Sequence, residues 1–299
     1  MKDGKVTIEL PVGWPEAVLE EAADQDEAQT PRLARVRRLS AAVAALNAIS
    51  VSLPTTYGWR FITAENFSVH FEKRVADGAS PAELNHIYWK DTLATVEAYT
   101  VMSVWRMVDI CQSAFRCMDE DAIVPCAILA RSALESSVQF VQDARTISAS
   151  LEGVIKHDLK SAIATSRELE EYLLQTVYAS RQSGADEIYK SKNILTVLGK
   201  IAKIIKDEPI MDEYETLCEV THPNFLGRSA YLSAGTAERA DGSELRVISP
   251  ANGANGGALL QTALWALSWA IEAQATSTHL VQSTVSDFMK VLPAGYPTS

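Results

Sequence analysis

The sequence predicts an all-α fold, a helical bundle built on one long antiparallel helical hairpin. Three observations carry that prediction. Glycine and proline are sparse, 14 and 11 among 299 residues, in a chain rich in alanine and leucine, a mixture that favours long helices over a many-stranded sheet. Ser80-Pro81-Ala82-Glu83 is a complete helix start, with a serine cap, a proline in the first helical position and a glutamate placed to close a capping box. From there no breaker occurs until about Met118, which makes a helix of about 55 Å at about 1.5 Å per residue.

Taken in chain order, Lys5 to Leu10 (KVTIEL) alternates and is β-branched, which predicts a short strand ended by Pro11 and Gly13. Pro15 to Ala23 reads as an acidic helix opened by proline. Pro31 opens a second helix that runs through an alanine-rich stretch to about Ser50 and stops at Leu53-Pro54. Trp59 to Val75 is less regular and compatible with helix. After the long helix, Asp119-Glu120-Asp121 makes an acidic turn, and a second helix runs from about Ala122 to Arg145, with Pro125 tolerated in its first turn. So short a connection makes the two helices an antiparallel pair, the hairpin of about Ser80 to Arg145. Ser150 to Ser180 is expected to form a further helix broken at Ser183-Gly184, followed by helices over Asp186 to Ile205 and from Asp207-Glu208-Pro209 to about Thr221. Gly235 to Gly257 is the one extended irregular region. It contains a strand, Glu244 to Ile248 (ELRVI), whose expected partner is KVTIEL. The last helix reaches about Met289. With no repeat or low-complexity linker, the expectation is one structural unit, residues 61–299 forming the bundle and residues 1–60 packing on it.

Composition narrows the partners. Hydrophobic residues make up 47% and charged residues 22%, as in ordinary globular chains, and 38 acidic against 27 basic side chains give a net charge of −11. Such a chain repels nucleic acid and anionic membrane at long range unless a local basic patch intervenes. Two clusters exist, Arg32, Arg35, Arg37 and Arg38, then Lys190, Lys192, Lys200, Lys203 and Lys206. Both read as solvated helix faces, and there is no strong DNA-binding signature. The four cysteines, Cys111, Cys117, Cys126 and Cys218, form no CxxC pair and are read as free thiols of a reducing compartment. The N-terminus carries charge where a signal peptide needs an apolar core, and the most apolar stretch, Ala258 to Ala275, contains Gln261 and Glu272. A cytoplasmic protein is the expectation. Asn252-Gly-Ala-Asn-Gly-Gly257 lacks both a P-loop lysine and a full GxGxxG and reads as a turn, and there is no GxSxG or HExxH, so no cofactor is expected. Trp265 and Trp269, four apart, form a stripe expected in the core or at a subunit interface, with a homo-oligomer as the expected assembly.

Two constellations could carry chemistry. Arg131 and Glu135 share one face of a helix (AILARSALESSVQFV) that is otherwise apolar or small. Structurally they make an ion pair pinning two helices; functionally they make a guanidinium held by its own carboxylate and aimed at an anion. His222 lies in Thr221-His222-Pro223-Asn224-Phe225, where a helix gives way to proline, a position suited to proton transfer at neutral pH or simply to capping. A third reading takes Glu83-x-x-His86 and Glu219-x-x-His222 as the ligand pairs of a di-metal carboxylate bundle, although Glu83 is already explained by its capping box.

The segments ARSALESS (Ala130 to Ser137) and LCEVTHPNFLGRSAYL (Leu217 to Leu232) resemble a family of bacterial all-helical proteins with an Arg-x3-Glu helix and a later His-Pro-Asn turn. That family is in turn distantly similar to the HEPN (higher eukaryotes and prokaryotes nucleotide-binding) superfamily. The resemblance covers roughly Ala94 to Tyr231. It implies a defence or stress protein acting on RNA or a nucleotide and, if an enzyme, a metal-independent ribonuclease using an arginine and a histidine. The usual HEPN signature places the arginine a few residues before the histidine on one helix. Here the nearest arginine to His222 is Arg228, on the other side, so catalysis requires Arg131 and Glu135 to meet His222 across helices. In such a site His222 exchanges a proton with a ribose 2′-hydroxyl, Arg131 stabilises charge on the phosphoryl oxygens, Glu135 holds Arg131, and Asn224 and Arg228 contact the ligand. The competing class is a non-catalytic helical interaction module in which the same residues form a buried network.

Overall fold

The computed structural model describes residues 5–14, 31–59, 62–184, 186, 189–206, 209–249 and 256–294. Over these it is an all-α bundle with one small β ribbon. The elements are α1 (Pro31–Val36), α2 (Leu39–Ser52), α3 (Ala64–Ala76), α4 (Pro81–Asp119), α5 (Ile123–Ile155), α6 (Arg167–Val177), α7 (Ile194–Ile204), α8 (Ile210–Thr221), α9 (Phe225–Ser229), β1 (Leu232–Glu238), β2 (Glu244–Ile248) and α10 (Gly256–Val291).

The hairpin of α4 and α5 forms where its punctuation predicts. The Glu83 N–H donates to Ser80 Oγ at 3.3 Å, but the Glu83 carboxylate turns to Arg74 instead of closing the box. Asp121 reverses the chain with a positive φ of 53°, and the Ala122 N–H closes the turn on the Cys117 carbonyl at 2.7 Å. Pro125 falls in the first turn of α5, as its missing N–H requires.

The described residues group into two compact units, and neither is continuous in sequence. Unit 1 draws on Met1–Leu53, Val104–Gln139 and Ile194–Ala275; unit 2 on Pro54–Ser103, Phe140–Asn193 and Thr276–Ser299. In unit 1, Leu33, Leu46, Met107 and Leu134 are sealed from solvent, as are Trp265 and Trp269, so the tryptophan stripe is core. Arg35, in a cluster read as a solvated face, is buried here in an ion pair with Glu272, and Ser268 Oγ donates to the Arg35 carbonyl at 2.8 Å. In unit 2 the core gathers Trp89 and Val96 of α4, Ile147 and Leu151 of α5, Leu169 of α6 and Phe288 of α10.

Several expected elements fall elsewhere. Lys5 to Leu10 is not a strand. Its backbone groups are taken by side chains of α2: the Ile8 N–H and carbonyl both pair with Asn47 at 2.8 Å, and Ser50 Oγ donates to the Val6 carbonyl at 2.6 Å. β2 forms as predicted, but pairs antiparallel with β1, a strand of small residues with no alternation to announce it. The helix expected from Ser150 to Ser180 is two: α5 continues to Ile155, well past Arg145, and α6 starts at Arg167, capped by Ser166. Between them Asn85, fully buried on α4, donates to the carbonyls of Leu159 (2.8 Å) and Ala162 (2.7 Å) and accepts from the Ala164 N–H (2.9 Å). A side chain 74 residues upstream thus supplies the bonds a helix would have made locally. The helix expected over Asp186 to Ile205 is shorter, Ile194–Ile204, and that from Pro31 to Ser50 breaks at Arg37-Arg38. The acidic helix of Pro15 to Ala23, the start at Asp207-Glu208 and most of the Asn252 to Gly257 turn lie outside the described residues. Among the described residues no helix is long and apolar enough to cross a membrane.

Candidate functional site

Arg131 and Glu135 sit one turn apart on α5, and Arg131 Nη2 donates to Glu135 Oε1 at 3.0 Å. The third member is Tyr214 of α8, which the sequence reading missed. Ile210, Tyr214 and Leu217 follow a helical period and are buried, which places the tyrosine ring in the core of unit 1. Its hydroxyl donates to Glu135 Oε1 at 2.9 Å and accepts from Arg131 Nη2 at 3.5 Å, and the guanidinium carbon lies 5.5 Å from the ring centroid.

The pair is neither sealed nor open: 20% of the Arg131 side chain and 29% of the Glu135 side chain reach solvent. Burial pulls the Arg131 guanidinium down, but the Tyr214 hydroxyl and the Glu135 charge outweigh it, and the net shift is upward. Burial, offset by Arg131 and reinforced by Glu135, pushes the Tyr214 hydroxyl up to about 12. Both groups therefore keep their protons at any physiological pH. Arg131 makes its bonds through Nη2, while its Nε is buried without a partner among the described residues.

His222 stands apart from this cluster. It caps the C-terminus of α8 in extended backbone, its N–H bonded to the Cys218 carbonyl at 3.0 Å, and it is exposed. It follows Tyr214 by eight residues, about 12 Å along a helix axis. Among the described residues no hydrogen bond or ion pair joins it to Arg131 or Glu135. Asn224 donates to Glu219 Oε2 at 3.0 Å, and Arg228 is exposed on α9. Arg131 and Glu135 of the expected composite site pair with each other, and His222, Asn224 and Arg228 lie at the corner that follows α8.

That corner is tightly built. Gly227 is buried where α9 folds back on α8, and a Cβ there would lie 2.8 Å from the Val220 carbonyl oxygen. Gly227→Ala must push backbone against backbone, so we expect it to lower stability by about 1–3 kcal/mol, whereas Arg228→Ala, one residue on and exposed, should fall within about 0.5 kcal/mol of wild type. Thermal denaturation of the two variants side by side checks this; equal melting temperatures would mean the corner yields freely.

The di-metal arrangement does not assemble. Glu83 is held by Arg74, His86 Nδ1 lies 2.9 Å from the Pro293 carbonyl, and Glu219 is bonded to Asn224. Among the described residues no three of histidine, cysteine, aspartate and glutamate converge as metal ligands. All four cysteines are free thiols, and burial pushes the Cys111 and Cys126 thiols up, Cys126 to about 12.

Unit 2 carries a second polar cluster that the sequence did not flag. Asp143 of α5, with no solvent exposure, accepts hydrogen bonds of 2.6 Å from Tyr99 of α4 and from Tyr172 of α6. Lys192 Nζ lies 3.8 Å from the Tyr172 ring centroid. Burial and the Asp143 charge raise both tyrosine hydroxyls, which therefore act as fixed donors that tie three helices to one carboxylate. The sequence offers little cue to it, since Asp143 stands between Gln142 and Arg145 in FVQDARTIS, where one more polar residue is ordinary.

Comparison of the chain with family models, with curated proteins and with solved structures finds no match.

Proposed function

We propose that this chain is a HEPN-like bacterial defence or stress protein that binds a phosphate-bearing ligand, a nucleotide or RNA, at Arg131. One observation carries the reading: Arg131 is a charged guanidinium on an otherwise apolar helix face, held from one side by Glu135 and Tyr214, with 20% of its side chain open to solvent. A guanidinium held in this way can offer its solvent-facing N–H groups to an anionic oxygen in a charge-assisted hydrogen bond. The net charge of −11 favours a small ligand over a long polynucleotide. Cleavage would need His222 as the proton carrier, so binding at Arg131 and chemistry at His222 are separable.

A second reading has its own support. Tyr214 bridges α8 to α5 through Glu135, which suits a structural clip in a non-catalytic interaction module.

Titration of the wild-type protein with nucleoside mono-, di- and triphosphates and with a short single-stranded RNA, beside Arg131→Met and His222→Ala, decides between them. Binding that weakens about tenfold or more in Arg131→Met, at a melting temperature within a few degrees of wild type, is the expected result. His222→Ala should bind normally and lose any RNA cleavage. No binding by the wild type, together with marked destabilisation of Arg131→Met, would establish the clip and overturn the ligand site.

A further inference from the structure

β2 is exposed along its whole length, including Leu245 (45%), Val247 (50%) and Ile248 (75%). Both faces of a strand cannot be this exposed and this apolar without a cost, and a two-stranded hairpin alone is marginal in water. β1 covers one edge of β2; among the described residues no strand covers the other.

The hydrogen-bond phase of that open edge can be read from the closed one. The Arg239 N–H donates to the Ser243 carbonyl at 2.8 Å, which makes 239 and 243 a hydrogen-bonded pair. Alternation along the ladder then turns the N–H and C=O of Leu245 toward β1 and those of Glu244 and Arg246 outward. Across the ribbon Glu244 sits opposite Glu238, two carboxylates at a position where like charges repel; among the described residues its ion pair is with Arg246 of its own strand, at 3.4 Å.

We infer that the outer edge of β2 pairs antiparallel with the same edge of a second copy of this chain, about a two-fold axis at Leu245, to give a four-stranded sheet. In that register Glu244 of each copy exchanges backbone hydrogen bonds with Arg246 of the other, which brings two complementary charge pairs together and places Leu245 against its counterpart. Each Glu244 gains the second cation that its place opposite Glu238 demands. Sliding the axis by one residue to Arg246 sets that arginine against itself, so charge selects the register. Ile248 meets Gly242, the positive-φ glycine of the ribbon turn, where a bare backbone leaves room for it.

The oligomeric state of the full chain, measured by sedimentation equilibrium, tests this through a charge exchange. Wild type should be a dimer. Arg246→Glu and Glu244→Arg each oppose like charges at both pairings and should weaken dimerisation about tenfold or more, with unchanged far-UV circular dichroism. The double variant E244R/R246E restores complementary pairs and should dimerise as wild type does, which a misfolded ribbon could not. A monomeric wild type, single variants that dimerise normally, or a double variant no better than the singles would each overturn the proposal.

Discussion

Trp89→Ala should lower the stability of unit 2 by about 3–5 kcal/mol, the largest single-residue effect expected in this chain. The indole is fully buried, its ring 4.8 Å from Phe288 and 4.9 Å from Tyr88 between centroids, and its Nε1 donates to the Ala164 carbonyl at 2.8 Å. Alanine leaves a void between α4 and α10 and orphans a carbonyl of the loop that follows α5. Trp89→Phe keeps most of the volume and loses only the donor, so it should cost about 1–2 kcal/mol. Guanidinium denaturation followed by circular dichroism gives both values, and near-equal midpoints for wild type and Trp89→Ala would show that this core is not what holds the unit.

Asp143→Ala follows, at about 2–5 kcal/mol, because it leaves the Tyr99 and Tyr172 hydroxyls without their acceptor, at about 1–3 kcal/mol for each buried donor. The companion variants separate the bonds from the charge. Asp143→Asn retains one carbonyl oxygen and should lose less, and the pair Tyr99→Phe and Tyr172→Phe in an Asp143→Leu background should recover part of the loss, since no polar group of the trio then remains unmatched. If Asp143→Ala melted with wild type, the carboxylate would be tying nothing.

What could be read from the sequence divides along the range of the interactions. α4 and its turn into α5 were legible because their signals are local: the Ser80 cap, Pro81, the absence of breakers and the acidic turn. The interruption after Ile155 was not, because His157-Asp158 carries no glycine or proline, and what stops the helix is Asn85 reaching over from α4. KVTIEL was misread because alternation reports an extended backbone without saying whether a strand or the side chains of Asn47 and Ser50 will take its hydrogen bonds. Of the candidate site, Arg131 and Glu135 stood out as charges on an apolar face at a spacing of four, and they do pair. Tyr214 did not stand out, since a tyrosine on an apolar helical face is ordinary until its hydroxyl is seen to end on Glu135. His222 was singled out by a proline and its rarity, and neither property encodes a direction in space.

The interleaving of the two units has a consequence for how the chain is made. α10 supplies residues to both, its first part to unit 1 and its remainder to unit 2. During synthesis, α4 and α5 therefore emerge from the ribosome long before the helix that completes either core, and they wait for α10 through more than 100 residues of elongation, from Ile155 to Gly256. Neither unit can be obtained by cutting the gene at one point, and nascent chains stalled before α10 are the state in which this protein is most exposed to aggregation and most dependent on chaperones.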